Sequence, residues 1–246
     1  PVVENFSLSL KKGEIITIVG ESGSGKSTVL SSILGLLPNG GKIISGDIIY
    51  NGESMLNKSL NQWRELRGTE ITMISQDSGG TLNPIRKIGK QFVEYIQTHS
   101  KMSAKEAEEK AKDMFSKVNL PDPEIIMKSY PHQLSGGMKQ RVGIAMALTF
   151  HPKIILADEP TSALDVITQA QIVKEIMDLR KKFDTSIIMV THNLGVAAYI
   201  SDKIIVMQNG KIVDAGNKNE VIENPRSEYT KKLLEAVPEI GGERLV

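Results

Sequence analysis

Residues 20–28 read GESGSGKST, and they decide how the rest of this 246-residue chain is read. The apolar run 15–19 (IITIV) precedes them, and an apolar-periodic stretch over 29–37 follows. Gly20, Gly25, Lys26 and Ser27 satisfy G-x-x-x-x-G-K-[ST], the pattern of a phosphate-binding loop. Glycines let the backbone curl so that successive N–H groups point inward at phosphate oxygens. Ser22, Gly23, Ser24 and Thr28 complete the cradle. A helix starting near Lys26 aims its positive end at the same anion. Lys26 is placed to neutralise β- and γ-phosphates, and the Ser27 hydroxyl to ligate Mg²⁺.

The bulk numbers exclude several classes. Lys and Arg total 30 against 29 Asp and Glu, a net charge of +1. A protein that coats DNA carries a strong basic excess, so this balance argues against one. There is no cysteine, hence no disulfide and no cysteine-ligated metal centre in this sequence. Apolar stretches such as 144–148 (IAMAL) are far too short to span a bilayer, and no signal-peptide pattern is visible. The expectation is a chain soluble by itself, which meets a membrane only through a partner.

The pattern along the chain is that of an α/β protein. Residues 2–10 alternate loosely and read as a strand. Asn39-Gly40-Gly41 is the expected stop of the first helix. Residues 45–50 form a short strand closed by the turn pair Asn51-Gly52, and 71–74 form another, followed closely by Gln76. From 81 to 134 prolines punctuate a helical stretch. There Ser103-Ala104-Lys105-Glu106 is a capping box, and Ala104, Ala107, Ala111, Met114 and Val118 share a face. The α/β alternation then resumes: a strand over 153–157 reaching Asp158-Glu159, a helix over 166–182, and a strand over 186–190 ending at Thr191-His192. Continuous apolar strands suggest a parallel sheet covered on both faces. Ligands of such sheets bind beyond the carboxyl ends of the strands, where Gly20, Asp158, Glu159 and His192 all fall. Residues 203–208 and 211–215, joined by Asn209-Gly210, read as a closing hairpin, and 217–234 as a helical tail.

One more segment completes the constellation. Leu134-Ser135-Gly136-Gly137-Met138 opens a helix, with a serine suited to the N-cap and two glycines beside it. With it, the chain resembles the ATP-binding subunit of an ATP-binding cassette (ABC) transporter over nearly its whole length. Residues 20–28 are similar to the family's Walker A motif, Gln76 to its Q-loop and 134–138 to its signature motif. Residues 154–160 (IILADEP) resemble Walker B, 162–165 (SALD) the D-loop, and His192 the switch histidine. A finer similarity, to the peptide/nickel importer branch, rests on Thr81-Leu82-Asn83-Pro84 after Gln76 and on 130–138 (YPHQLSGGM). Asn224-Pro225 with Tyr229-Thr230 adds to it.

The resemblance implies a P-loop ATPase core with a mostly parallel sheet, an antiparallel β portion at the N-terminus and a helical insertion. Residues 1–80 and 135–246 would form the core, 81–134 the helical subdomain and 217–246 a C-terminal tail. It implies ATP and Mg²⁺ as ligands. Asp158, Ser27 and Gln76 would attend the metal, Glu159 would be the general base, and His192 and Gln76 would assist the reaction. Ser135, Gly136 and Gly137 would face a partner subunit's nucleotide, with Asp165 at the dimer seam. The partners would be two membrane-spanning permease subunits, a second related ATPase or a second copy, and indirectly an extracytoplasmic binding protein. No nucleic acid is expected, and the place would be the cytoplasmic face of the membrane. His99, His132 and His151 read as surface or packing residues. The adenine-stacking aromatic is not assigned, because Phe6 lies after its expected position. Residues 236–245 resemble the approach to the branch's cysteine-containing extension, after which the chain stops. This fits a trimmed form or the shorter metal-importing members, and peptide and nickel or metal-chelate cargo both stay open.

Two other readings compete. A soluble cassette acting as a clamp in DNA repair or translation usually carries two cassettes or a long coiled-coil insertion between Walker A and the signature. The interval here is short. A regulatory module without turnover typically loses either Glu159 or His192, and both are present.

Overall fold

The computed structural model describes residues 2–38, 40–162, 164–237, 239–240 and 243–244. In chain order the elements begin with β1 (Ile15–Val19), α1 (Lys26–Ile33), β2 (Ile49–Tyr50), β3 (Glu53–Ser54), α2 (Leu60–Leu66) and β4 (Ile71–Ile74). They continue with α3 (Ile88–His99), α4 (Ala104–Lys117), α5 (Pro123–Lys128), α6 (Gly136–Leu148), β5 (Ile154–Asp158) and α7 (Val166–Phe183). Then come β6 (Ser186–Thr191), α8 (Leu194–Ile200), β7 (Lys203–Gln208), β8 (Lys211–Asn217), α9 (Lys218–Glu223) and α10 (Glu228–Glu235), and last the short antiparallel pair β9 (Glu239–Ile240) and β10 (Glu243–Arg244). The chain forms two compact units, Pro1–Trp63 with Ser186–Val246, and Arg64–Thr185.

The first unit is built on the strand order β6-β1-β7-β8. β1 runs parallel to both neighbours, with Val19 opposite Thr191 on one side and Val206 on the other. All five β1 residues are buried, which explains why the run is continuously apolar rather than alternating. Burying each such Ile or Val contributes about 1.5–3 kcal/mol relative to leaving it exposed. β8 returns antiparallel to β7 through Asn209 (φ 50°) and Gly210 (φ 77°), the left-handed pair expected of that turn. Asn51 (φ 50°) and Gly52 (φ 81°) close the short antiparallel pair β2–β3 in the same way.

Four expectations for this unit change. The strand expected over 45–50 shortens to the two residues Ile49–Tyr50. Residues 2–10 form no strand. They keep alternating exposure, with Phe6, Leu8 and Leu10 half-buried between exposed neighbours, so the period-2 signal reports one-sided contact without a ladder. The antiparallel portion of the N-terminal region is therefore β2–β3 alone among the described residues. Helix α1 stops at Ile33, before the expected Asn39-Gly40-Gly41 stop, of which Asn39 lies outside the described residues. Gly35 takes φ 61°, and the N–H groups of Gly35 and Leu36 donate to the Ser32 and Ser31 carbonyls at 3.0 and 2.8 Å. That pairing satisfies the orphan carbonyls at the helix end. The tail is two helices rather than one, because Pro225 cannot continue α9. Buried Asp214 accepts from the N–H groups of Arg226 (2.8 Å) and Ser227 (3.3 Å), which turns the chain into α10. Of the expected tail, Pro238, Gly241, Gly242, Leu245 and Val246 lie outside the described residues.

In the second unit β4 and β5 pair in parallel, with Ile74 opposite Ala157. Helices α3, α4 and α5 form the helical portion around Phe92 and Phe115, whose ring centroids are 5.2 Å apart. The Ser103–Glu106 capping box starts α4, and Ala107, Ala111 and Met114 are buried as the stripe requires. Ala104 is exposed, since the first turn overhangs the packed face. Tyr95 donates to the Gly68 carbonyl at 2.9 Å, and burial pushes its phenol up to about 12. His99 packs against Tyr95 and Phe150, His151 against Phe183, and His132 stacks on Tyr130. These are the packing roles expected of them.

Candidate nucleotide site

The first unit carries the phosphate loop and His192. Because Val19 pairs with Thr191, Gly20 and His192 leave adjacent parallel strands side by side. The loop then tightens. A Cβ on Gly20 would lie 2.8 Å from Ser24 Oγ and closer still to the Met207 carbonyl oxygen. Gly23 and Gly25 take φ 81° and 99°, which favours glycine at both. Gly25 is also the N-cap of α1, so the helix begins at Lys26 as its sequence requires. Lys26 is only 4% exposed, and its ammonium donates to the carbonyls of Gly20 (2.7 Å) and Glu21 (2.8 Å). Ser22, Gly23 and Ser27 are exposed, and Thr28 is half-buried.

The loop fits an anion. Gly20 and Gly25 leave no room for a Cβ, against Met207 and Val3, while Gly23 faces open space. The Ser24 hydroxyl is buried with no hydrogen-bond partner, an orphaned group that a phosphate oxygen would satisfy. The outer side of the loop is tied to the C-terminal half of the chain. The Gly210 N–H donates to the Ser24 carbonyl at 3.1 Å, and the Glu21 N–H to the Tyr229 hydroxyl oxygen at 2.9 Å.

The second unit carries the remaining motifs. The β4–β5 register sends the Ser75-Gln76 and Asp158-Glu159 pairs off neighbouring strands side by side. Gln76 is exposed, and half-buried Asp158 closes β5. Glu159 takes φ 43°, a left-handed conformation that costs a residue with a side chain about 1–2 kcal/mol. Its carbonyl accepts from both the N–H and the hydroxyl of Ser162, each at 3.2 Å, which holds the turn. Strain of this kind at a carboxylate leaving a strand marks a candidate reactive position.

The signature segment and the D-loop meet in this unit. Ser135 caps α6, its hydroxyl accepting from the Met138 N–H at 3.3 Å. A Cβ on Gly137 would lie 2.9 Å from Thr168 Cγ2, so this glycine permits close approach to the start of α7, whereas one on Gly136 would meet Leu164 Cδ2 at an ordinary contact distance of 3.4 Å. Asp165 caps α7, accepting from the Thr168 hydroxyl (2.7 Å) and N–H (3.0 Å), and these bonds hold its carboxyl below the usual range. Ala163 of the D-loop lies outside the described residues. Gly143 on α6 permits the chain just after Gln76 to pack closely, since a Cβ there would lie 2.6 Å from Ser78 Oγ.

Arg141 and Glu175 lock α6 to α7, and sequence reading missed them. The Arg141 guanidinium donates through Nε (3.1 Å) and Nη2 (2.8 Å) to the Glu175 carboxylate, and both side chains are largely buried. A lone Arg and Glu 34 positions apart carry no local signal. Glu175→Ala is expected to destabilise the chain by about 1.5–3 kcal/mol in urea unfolding, the range for hydrogen bonds to charged groups. Arg141→Glu combined with Glu175→Arg is expected to recover part of that loss.

Among the described residues no group of three or more His, Cys, Asp or Glu forms a metal cage. In the second unit Asp158 and Gln76 leave neighbouring strands and carry hard oxygen donors of the kind Mg²⁺ takes, and in the first unit the Ser27 hydroxyl is another such oxygen. Also among the described residues, no helix is long and apolar enough to cross a membrane.

Comparison with known proteins shows the family. Residues 3–162 match the family model described as ABC transporter. The oligopeptide transport ATP-binding protein AppD of Bacillus subtilis (strain 168) is 43% identical over 244 residues, covering 99% of this chain and 74% of that protein. The metal-staphylopine import system ATP-binding protein CntD of Staphylococcus aureus (strain NCTC 8325 / PS 47) is 42% identical over 235 residues, covering 95% of this chain and 86% of that one. Among solved structures, the dimeric post-hydrolysis ATP-binding cassette MJ0796 bound to ADP and Pi superposes with a TM-score of 0.76 at 30% identity, covering 88% of this chain and 90% of that one. The chain belongs to the ABC transporter family, on the branch of its oligopeptide and dipeptide ATP-binding proteins.

Proposed function

We propose that this chain is the ATP-hydrolysing motor subunit of a membrane importer for peptides or for nickel and other metal chelates. The observation that carries the reading is the phosphate loop: glycines at its tight points, a nearly buried Lys26 ammonium and an orphaned Ser24 hydroxyl. Lys26 and the backbone N–H groups of 20–28 bind the phosphates of ATP. Ser27, Asp158 and Gln76 hold Mg²⁺, which when bound shields the charge that develops on the phosphate oxygens. Glu159 accepts a proton from the attacking water. His192 and Gln76 orient the γ-phosphate and that water. Ser135, Gly136, Gly137 and Asp165 serve a second ATPase subunit, a related chain or another copy, paired head to tail. ATP thus acts as an interface ligand that favours the closed pair, and loss of the γ-phosphate contacts releases it.

The motor sits at the cytoplasmic face of the membrane, on two permease subunits fed by an extracytoplasmic binding protein. A clamp role in DNA repair or translation is not favoured: between the loop and the signature the longest described helix is α4, of 14 residues, too short for a coiled-coil arm. Light scattering on Glu159→Gln with and without Mg-ATP tests the pairing, and affinity purification from membranes tests the setting. The expected result is a nucleotide-dependent dimer and a co-purifying polytopic membrane protein. Recovery with ribosomes or nucleic acid instead would overturn the transport reading.

A further inference from the structure

We infer that Tyr229 is a positioning residue for the phosphate loop, through which helix α10 sets the affinity for the nucleotide's phosphates. The inference rests on residues 20–28 being the phosphate site.

The peptide plane joining Gly20 to Glu21 is held at both poles. Its carbonyl, on Gly20, accepts from the Lys26 ammonium at 2.7 Å. Its N–H, on Glu21, donates to the Tyr229 hydroxyl oxygen at 2.9 Å. A peptide unit is planar, so fixing the direction of the N–H fixes the direction of the carbonyl. Tyr229 therefore aims the carbonyl that seats the Lys26 ammonium. The two hydrogen bonds also polarise the same amide, and each strengthens the other.

Tyr229 is well placed to hold that plane still. The residue is 9% exposed and lies in one apolar cluster with Val19, Leu194, Val206 and Leu234. Val19 is the residue immediately before the loop, so ring and hydroxyl fix the loop's entry together. The start of α10 is itself pinned: buried Asp214 takes the N–H groups of Arg226 and Ser227, and the Ser227 hydroxyl takes the Tyr229 N–H at 3.2 Å. A continuous set of bonds thus runs from β8 through α10 to the Gly20–Glu21 peptide and Lys26. Displacement of α10 loosens the seat of the lysine.

Tyr229→Phe tests this, because it keeps the ring and deletes only the hydroxyl that accepts from the Glu21 N–H. Titration calorimetry with Mg-ADP is expected to show Kd raised about three- to tenfold, the effect of losing one such hydrogen bond. Steady-state ATP hydrolysis is expected to show KM raised to match, with kcat at saturating ATP within about twofold, because the reacting groups are untouched. A residue that only packs would lower Tm and leave Kd and KM where they were, and that result would overturn the inference. Amide exchange in the unaltered chain gives a second readout, independent of any variant. The Glu21 N–H is expected to be protected without nucleotide, and exchange at the rate of a free peptide would overturn the inference. Lys26→Ala separates the two readings. If it weakens nucleotide binding while Tyr229→Phe changes nothing, only this inference fails. If Lys26→Ala binds normally, the phosphate-site reading fails and this one with it.

Discussion

Glu159→Gln is expected to lower ATP turnover by about 10²- to 10⁴-fold, the usual contribution of a general base, while Mg-ATP stays bound. The amide has the shape of the carboxylate but cannot take the proton of the attacking water. Its neutral head also removes a negative charge that would face the γ-phosphate, so the nucleotide-bound state is not weakened. The position supports the role: Glu159 follows the last residue of β5, is held at φ 43° and is anchored by two bonds from Ser162. Its side chain is therefore aimed by backbone geometry, not by its own rotamer alone. Single-turnover phosphate release, with bound nucleotide measured alongside, separates chemistry from binding. Normal phosphate release from the variant would remove Glu159 as the base.

Lys26→Ala is expected to weaken Mg-ADP binding by about 10- to 100-fold, corresponding to loss of a charge-assisted hydrogen bond of about 1.5–3 kcal/mol. Lys26 has a second task, since its ammonium bonds the Gly20 and Glu21 carbonyls inside the loop. Alanine removes both that bracing and the charge. Lys26→Met keeps most of the side-chain volume and deletes only the ammonium, so equal losses in the two variants would assign the effect to the ammonium, through its charge and its two bonds, and not to lost packing. Calorimetric titration checks both, and an affinity unchanged from the parent chain would contradict the phosphate role of Lys26.

Short-range signals were the most legible. The 71–74 strand, the Ser103–Glu106 capping box, the Asn51-Gly52 and Asn209-Gly210 turns and the start of α1 at Lys26 appear where the residues place them. Each rests on chemistry completed within a few positions. The misread stretches are those where a local pattern had no local consequence. Residues 2–10 alternate as a strand does, but a strand needs a partner, and none of the described strands pairs there. The end of α1 was misplaced because an apolar period over 29–37 outlasts the helix, which Gly35 terminates by taking φ 61°.

The candidate site divides along the same line. Residue identity alone determined that a phosphate loop, a signature segment and an acidic pair at a strand end are present, because each motif is a contiguous run whose chemistry is local. Tertiary structure decided which strands stand side by side. Gly20 emerges beside His192 because β1 pairs with β6, and Gln76 beside Asp158 and Glu159 because β4 pairs with β5. It also decided what holds the motifs in place. The Tyr229 hydroxyl reaches the Glu21 N–H across 208 positions, and Arg141 grips Glu175 across 34. Such pairs leave no periodic trace along the chain, since a hydrogen bond depends on distance in space and not on separation in sequence.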